Sequence, residues 1–245
     1  MAGDARPQVP GRFRATVERV TEWNAITRSI FLRLPAATPL SFTPGQFLSI
    51  DVPSAGERPL TRAYSIASSP ARAELLEICV DIVPGGPGSA WLFGLAPGAP
   101  VDFKAPFGSF TVGDPPDAEM VFVADGTCVA PIRAIVEYVL ARAGMRPVIV
   151  LHGARRESEL VYRDEFETWM AAHRRLRWES VLAPDATGAG DNRELERIVR
   201  ERYVDGDAHR SRHFWICAVG EIVRRMRDTL RGAGYERKAV RYEQW

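Results

Sequence analysis

Arg62-Ala63-Tyr64-Ser65 decides the fold, because this stretch occupies one place in an ordered series of short motifs. The other members of the series are, in chain order, Pro44-Gly45-Gln46-Phe47, Gly85-Gly86-Pro87-Gly88-Ser89, Gly126-Thr127-Cys128-Val129-Ala130-Pro131 and Glu243-Gln244-Trp245. Each motif is weak evidence alone, since a surface arginine and a half-buried tyrosine are common in ordinary strands. The interpretation therefore depends on the order and spacing of the series.

The first motif contains the side-chain types that a flavin requires. In an extended segment, Arg62 and Tyr64 lie on one face and Ser65 on the other. A flavin needs a cation for its phosphates, an aromatic surface for its ring and a hydroxyl near its reactive nitrogen. A guanidinium suits a phosphate because its planar fork bonds two oxygens at once.

The glycine-rich run from Gly85 to Ser89 precedes a helix predicted from Ser89 to Leu95. Such a run lets backbone N–H groups approach a pyrophosphate at a helix start. The alternative is a plain turn between two elements.

Composition limits the class of protein. The 245 residues suffice for one large domain or two ordinary ones, and 46% hydrophobic with 26% charged residues is a soluble globular profile. A net charge of +1 argues against nucleic acid or an anionic membrane as partner. No apolar run approaches the roughly 18 residues of a membrane span. Three scattered cysteines are too few for a four-thiolate cluster, and we expect a cytoplasmic location.

The two halves of the chain show different patterns. The first half contains short β-type runs bounded by Gly or Pro, at residues 14–20, 29–34, 46–52 and 75–83, which predict an antiparallel barrel. Residues 113–117, Gly-Asp-Pro-Pro-Asp, have the chemistry of a linker. We therefore predict an N-terminal antiparallel β-barrel domain over residues 12–113 and a second domain over residues 118–245.

Beyond residue 118, apolar runs alternate with helical stretches. The predicted strands are residues 120–124, 147–151, 176–182, 213–218 and 239–242, and the predicted helices are residues 131–143, 160–173, 192–203 and 221–232. This alternation predicts a doubly wound parallel-sheet α/β domain.

Taken together, the motifs resemble those of the ferredoxin–NADP reductase superfamily, and the resemblance covers residues 12–245. Arg62, Ala63, Tyr64 and Ser65 match its R-x-Y-S signature. The resemblance implies that Arg62 contacts the flavin phosphates, Tyr64 packs on the isoalloxazine and Ser65 hydrogen-bonds near N5.

The glycine-rich run is similar to a second motif of that family. Gly86, Pro87, Gly88 and Ser89 match its G-x-x-S phosphate-binding helix start, and residues 106–110 match its barrel-closing segment. The family usually holds FAD and occasionally FMN, so the resemblance favours FAD.

Residues 123–133 combine a strand, a glycine-containing turn and a helix start, which together form an anion site. The turn resembles the family's G-T-G-x-A-P motif, so Gly126, Thr127 and Pro131 are implied in binding the pyrophosphate of NAD(P)H. Cys128 replaces the second glycine, and Ala218 stands where the family has glycine. Cys128 is either a small buried side chain or a reactive thiol at a helix start, and both departures leave nicotinamide affinity open.

Gly153-Ala154-Arg155 resembles the family's G-x-R, which implies that Arg155 contacts the nucleotide. The alternative is that Arg155 and Arg156 are solvated. Asp185 would repel a 2′-phosphate and favour NADH, whereas the two arginines favour NADPH, so the preference stays open.

The C-terminal residues complete the resemblance. Cys217 ends the fourth strand of the second half, as the family's nicotinamide-side cysteine does, and Glu243 and Trp245 match a Glu-x-aromatic ending. The resemblance implies that Trp245 covers the flavin and that Glu243 relays a proton or orients the site. The alternative for Trp245 is a merely packed terminus. The predicted catalytic residues are thus Ser65, Cys217, Glu243 and Trp245.

We therefore predict a flavin-dependent NAD(P)H oxidoreductase with FAD as cofactor. It would pass hydride from NAD(P)H to FAD and electrons to a separate ferredoxin, flavodoxin, oxygenase component or small molecule. One alternative is a flavin-binding subunit or redox sensor with weak nicotinamide turnover. A second alternative is a binding protein without flavin. The four histidines show no convincing metal pattern.

Overall fold

The computed structural model describes residues 9–53, 59–142, 144–183 and 192–245. These residues form two compact units. The first contains the described residues up to Gly113 together with Arg133–Ile135, and the second contains Asp114–Ile132 and the described residues from Val136 onward.

The first unit is built on a six-stranded antiparallel sheet in the order β4-β3-β6-β1-β2-β5. Its strands are β1 (Gly11–Asn24), β2 (Thr27–Arg33), β3 (Phe47–Val52), β4 (Leu60–Ser65), β5 (Leu75–Asp81) and β6 (Pro100–Phe107). One helix, α1 (Pro87–Phe93), follows β5. The pattern of residues 14–20, 29–34, 46–52 and 75–83 predicted four of these strands, and the predicted antiparallel fold class is confirmed.

Alternating side chains build the core of this unit. In β3 the buried positions are Leu48, Ile50 and Val52, while the intervening positions are half-buried, as expected of a strand with one face on a core. The predicted helix over residues 89–95 begins earlier, at Pro87. Proline is favoured in the first helical turn because its missing N–H is not needed there.

The core of the first unit also contains a buried ion pair. Arg133 Nη1 donates to Glu77 Oε2 at 3.1 Å and to the carbonyl oxygen of Ala67 at 2.7 Å. Ser29 Oγ donates to the other Glu77 oxygen at 2.7 Å. Each charge is therefore hydrogen-bonded, which is the condition for tolerating buried ions.

The second unit is a five-stranded parallel sheet in the order β11-β10-β7-β8-β9. Its strands are β7 (Met120–Asp125), β8 (Val148–Ala154), β9 (Leu176–Leu182), β10 (His213–Ala218) and β11 (Val240–Gln244). Its helices are α2 (Val129–Leu140), α3 (Arg163–Ala172), α4 (Arg193–Ile198) and α5 (Glu221–Gly232). The predicted parallel α/β fold class is confirmed.

The pattern of burial explains why these segments are strands. β7, β8 and β10 are buried at almost every position, as parallel strands covered on both faces are. The helix predicted over residues 192–203 is not a single α-helix, because α4 ends at Ile198 and continues as a π-helical turn, Val199–Val204. No helix within the described ranges combines the length and apolar character needed to cross a bilayer.

Candidate functional site

In the first unit, β4 and the start of α1 approach closely. A Cβ atom built on Gly88 would lie 2.8 Å from Cγ of Arg62 and 3.5 Å from the hydroxyl of Tyr64. Only a residue without a side chain allows this approach. The structure therefore brings together the two motifs that the sequence predicts to bind the flavin phosphates.

The charge of Arg62 is not neutralised by any carboxylate in the described parts of the chain. Its exposed guanidinium donates one hydrogen bond, from Nη1 to the carbonyl oxygen of Thr61 at 2.8 Å. Burial raises the pKa of the Tyr64 phenol, so this ring stays neutral near pH 7. An arginine with unused donors beside a neutral aromatic ring fits a phosphate joined to a flat ring system.

The side chain of Ser89 holds the glycine-rich turn together. Its hydroxyl accepts a hydrogen bond from the Val83 N–H at 2.9 Å and lies 3.1 Å from the carbonyl oxygen of Gly86. Pro87 is the first residue of α1. The Ser89 hydroxyl is therefore used within the turn itself.

Ala63 and Ser65 flank Tyr64 on β4 and are both half-buried. Ser65 pairs with Phe47 of β3, and the next N–H along the chain, that of Ile66, donates to the carbonyl oxygen of Gln46 at 3.0 Å. The Pro-Gly-Gln-Phe and R-x-Y-S motifs are therefore neighbours in the sheet.

In the second unit, residues 126–131 form the turn that the sequence predicts to bind phosphate, and we call it the phosphate turn. It leaves the carboxyl end of the central strand β7. Gly126 has φ +59°, a left-handed conformation that glycine adopts without strain. The Val129 N–H donates to the carbonyl oxygens of Gly126 and Thr127, so the turn is wound tightly into α2. Pro131 lies in the first turn of α2. This is the arrangement in which parallel α/β sheets bind anions.

Cys128, which replaces a glycine of the motif, needs no special conformation. Its backbone angles, φ −62° and ψ −7°, are ordinary for any residue, and its side chain is buried. Burial raises the pKa of the Cys217 thiol, and a hydrogen bond between Cys217 and Cys128 raises it further. Cys128 is therefore a buried side chain that contacts Cys217, in agreement with the first of the two readings of this cysteine.

The predicted catalytic residues of the second unit converge at one end of the sheet. Cys217 pairs with Glu243 in the register of β10 and β11. The Trp245 N–H donates to the carbonyl oxygen of Ala218 at 3.2 Å, and the Gly220 N–H donates to that of Trp245 at 3.4 Å. The last residue is thus tied by its backbone to the segment after β10, while 38% of its surface is exposed.

The Glu243 carboxyl group is unusual. Burial raises its pKa to about 7, and its buried Oε2 atom has no hydrogen-bond partner among the described residues. A carboxyl group with a pKa near neutrality is suited to exchanging a proton at physiological pH.

Arg155, which the sequence predicts to contact the nucleotide, is paired with a carboxylate of its own loop. Its Nε donates to Oε2 of Glu159 at 3.2 Å, and its backbone N–H donates to the same oxygen. Arg156 is exposed. Asp185, the other residue that bears on nucleotide choice, lies outside the described residues.

The sequence analysis missed three polar residues beside the phosphate turn. His152 Nε2 lies 3.1 Å from the Gly126 carbonyl oxygen. A Cβ atom built on Gly153 would lie 2.7 Å from Asp125 Oδ1 and 2.8 Å from Asn192 Nδ2. For Asp125 and His152 the available signal was polarity near the carboxyl ends of otherwise apolar strands, and for Asn192 it was a capping residue before a helix. Among the described residues, no group of three or more His, Cys, Asp or Glu side chains is arranged to hold a metal ion.

Comparisons with known proteins agree with this geometry. Residues 14–112 match the family model of the oxidoreductase FAD-binding domain, and residues 122–228 match that of the oxidoreductase NAD-binding domain. The predicted cofactors, FAD and NAD(P), are thereby confirmed. Ferredoxin–NADP reductase B of Sorangium cellulosum is 31% identical over 240 residues, which cover 95% of this chain and 97% of that protein.

Other relatives are longer than this chain. The reductase subunit of the aromatic O-demethylase of Amycolatopsis is 36% identical over 177 residues, which cover 70% of this chain but only 51% of that subunit. The crystal structure of the Amycolatopsis cytochrome P450 reductase GcoB has a TM-score of 0.83 and 29% identity, covering 96% of this chain and 70% of that one. A ferredoxin–NADP⁺ reductase from Neisseria gonorrhoeae has the same fold, with a TM-score of 0.79, 20% identity and coverage of 95% and 98%.

Proposed function

Because the chain belongs to the ferredoxin–NADP reductase superfamily, we propose that it is an NAD(P)H-dependent flavoprotein reductase that delivers electrons to a separate acceptor protein. Full-length similarity to a ferredoxin–NADP reductase makes a ferredoxin the first acceptor to test. Similarity to an O-demethylase reductase subunit makes an oxygenase component the second, with a flavodoxin or a small molecule as further candidates.

The observation that carries this proposal is the approach of Gly88 to Arg62 and Tyr64. It supports a single site in the first unit at which Arg62 binds the FAD phosphates and Tyr64 packs on the isoalloxazine. The backbone N–H groups of Gly88 and Ser89 complete the phosphate site, while the Gly86 N–H holds the turn by donating to the Val83 carbonyl oxygen and Pro87 fixes the helix start. Ser65 donates its hydroxyl near N5, and Ala63 keeps the strand close to the ring.

In the second unit, Gly126, Thr127 and Pro131 form the turn that binds the NAD(P)H pyrophosphate, and Arg155 contacts the nucleotide if its ion pair with Glu159 opens. Cys217 and Trp245 line the position of the nicotinamide. Bound FAD supplies a two-electron acceptor for hydride and releases electrons to the acceptor. Glu243, with its pKa near neutrality, holds or releases a proton at this end of the sheet.

Absorbance spectroscopy tests the proposal directly. The purified protein is expected to show flavin absorbance near 450 nm as isolated or after addition of FAD, and anaerobic NADH or NADPH is expected to bleach it. Comparing both nucleotides also determines the nucleotide preference. Protein that takes up no FAD, or holds FAD that neither nucleotide reduces, would contradict the proposal.

Two arginine variants show whether the site is correctly placed. Arg62→Ala is expected to weaken FAD binding at least tenfold, because a charge-assisted hydrogen bond to phosphate is lost. Arg14→Ala removes the same charge from an exposed arginine of the same sheet, which pairs with Asp102, and is expected to leave FAD affinity unchanged. Equal affinities in the two variants would rule out the assigned phosphate site.

The alternative of a flavin protein with weak nicotinamide turnover rests on the replacements at Cys128 and Ala218. The Cys128 side chain is buried and contacts Cys217, and Ala218 is buried as well, which supports normal nicotinamide binding over this alternative. Turnover with NADH or NADPH is therefore expected.

A further inference from the structure

His152 is a completely buried polar residue in the second unit, and the proposed function gives it no role. It lies on β8, which pairs with β7 on one side and β9 on the other, and none of its surface is exposed. Burial lowers its pKa to about 4, so the imidazole is neutral at physiological pH. A neutral imidazole has one donor and one acceptor nitrogen, so its two contacts determine its tautomer.

The first contact is with the phosphate turn. Nε2 of His152 lies 3.1 Å from the carbonyl oxygen of Gly126. Because a carbonyl oxygen only accepts hydrogen bonds, the proton must be on Nε2. The Gly126 carbonyl therefore accepts two hydrogen bonds, one from His152 and one from the Val129 N–H.

The second contact is with an aromatic ring. Nδ1 of His152, which must then be an acceptor, has no hydrogen-bond partner among the described residues, and neither has the donor Nε1 of Trp178. The two rings are in edge-to-face contact, with centroids 6.3 Å apart. A buried water can bridge an indole N–H and an imidazole lone pair.

The orientation of the Gly126 carbonyl has a consequence for the next residue. A trans peptide unit is planar, with its C=O and N–H directed oppositely. Fixing the Gly126 carbonyl toward His152 and α2 therefore directs the Thr127 N–H away from them, outward from the start of the helix. This is the direction from which a helix start receives an anion.

We propose that His152 is a positioning residue that fixes the Gly126 carbonyl and thereby aims the Thr127 N–H at the nucleotide phosphates. The assignment rests on the proposed NAD(P)H function and adds a determinant of affinity that does not touch the nucleotide. Trp178 packs edge-to-face against the imidazole ring.

Three variants test the role of the donor. His152→Phe keeps a ring but removes the donor, and it is expected to raise the KM for NADH or NADPH about tenfold, as for one lost hydrogen bond, with little change in kcat. His152→Gln retains an N–H near the Nε2 position and is expected to recover most of the affinity. His213→Phe removes a half-buried histidine at the amino end of β10 and is expected to behave like the unaltered protein.

A substrate without phosphates separates positioning from a general loss of structure. Reduced nicotinamide riboside has no pyrophosphate, so His152→Phe and the unaltered protein are expected to be reduced by it at the same rate. If His152→Phe slows both substrates equally, the effect is structural and the proposal is overturned. If His152→Phe binds NADH and NADPH normally, the proposal is likewise overturned, while the proposed reductase function stands.

The tautomer is measurable without any nucleotide. In ¹⁵N spectra of histidine-labelled protein, assigned with His152→Gln, Nε2 of His152 is expected to carry the proton and Nδ1 to have the shift of an unprotonated nitrogen. Trp178→Phe is expected to change the Nδ1 shift. A proton on Nδ1 would overturn the proposal, and an unaltered protein that binds neither nucleotide would overturn both it and the proposed function.

Discussion

Gly88 and Arg62 lie in contact, since a Cβ atom at position 88 would lie 2.8 Å from Cγ of Arg62. Gly88→Ala is therefore expected to push the arginine side chain out of its place and to weaken FAD binding about tenfold. Alanine is a better helix former than glycine by about 1 kcal/mol, so the apoprotein is not expected to lose stability. Fluorescence titration with FAD and thermal unfolding of the apoprotein measure the two effects.

Gly232→Ala is the matched control for that substitution. Gly232 ends α5, and no atom lies within 4 Å of the position of its Cβ. This variant is expected to bind FAD normally and to gain up to about 1 kcal/mol of stability. Normal FAD affinity in Gly88→Ala would show that Arg62 does not need its present position.

Glu243 makes stability depend on pH. Its pKa is raised by burial from 4.5 to about 7 in the folded protein. The folded state therefore binds more protons than the unfolded state between these values, so the free energy of unfolding falls as pH rises from 4.5 to 7 and then levels off. Glu243→Gln cannot ionise and is expected to remove this contribution, which is on the order of 1–2 kcal/mol after allowing for partial exposure.

Urea unfolding at pH 5 and pH 8 measures this difference. The free energy of unfolding of Glu243→Gln minus that of the unaltered protein is expected to be larger at pH 8 than at pH 5. Glu236→Gln is a suitable control because Glu236 is exposed and pairs with Lys238 at the surface. A constant difference between Glu243→Gln and the unaltered protein across this range would show that the carboxyl group has an ordinary pKa.

Cys128→Gly restores the residue that the family motif has at this position. Because the cysteine side chain is buried and its backbone conformation is ordinary, the change is not expected to improve the KM for NADH or NADPH. It is expected to destabilise the protein by about 1–2 kcal/mol, through backbone entropy and lost packing against Cys217. A marked fall in KM would mean that the thiol obstructs the nucleotide.

Gly153→Ala tests the packing of Asp125, Asn192 and Leu195 around Gly153. The new methyl group would lie 2.7 Å from Asp125 Oδ1 and 2.8 Å from both Asn192 Nδ2 and Leu195 Cδ2. Overpacking of this kind is expected to cost about 1–3 kcal/mol of stability. Thermal unfolding measures it, and an unchanged midpoint would show that these side chains move aside freely.

The fold could be predicted from the sequence where one physical signal dominates. Residues 176–182, 213–218 and 221–232 are correct to the residue, because a buried strand or a one-sided helix has a clear apolar pattern. The π-helical turn at Val199–Val204 was not predictable from such a pattern, since six residues are too few for its wider i→i+5 spacing to stand out from the α-helical pattern.

The candidate site was predictable only where function requires an unusual sequence. Glycine runs and an arginine two residues before a tyrosine are visible in the chain, so Gly88 and Arg62 were assigned before their contact was known. His152 and Asn192 were not, because His152 contacts the Gly126 carbonyl oxygen and Asn192 that of Val181, which are 26 and 11 residues away in the sequence. Asn192 accepts from the Leu195 N–H and donates to the Val181 carbonyl oxygen, which only the folded chain reveals.

The phosphate turn grows out of β7, the middle strand of the parallel sheet, which has paired neighbours on both sides. Central strands are generally the last part of a domain to open, so a turn rooted there is preorganised before any ligand arrives. Amide hydrogens at residues 126–129 should therefore exchange slowly with deuterium in the nucleotide-free protein. The conformational entropy lost on nucleotide binding would then come mainly from the nucleotide and hardly at all from the turn.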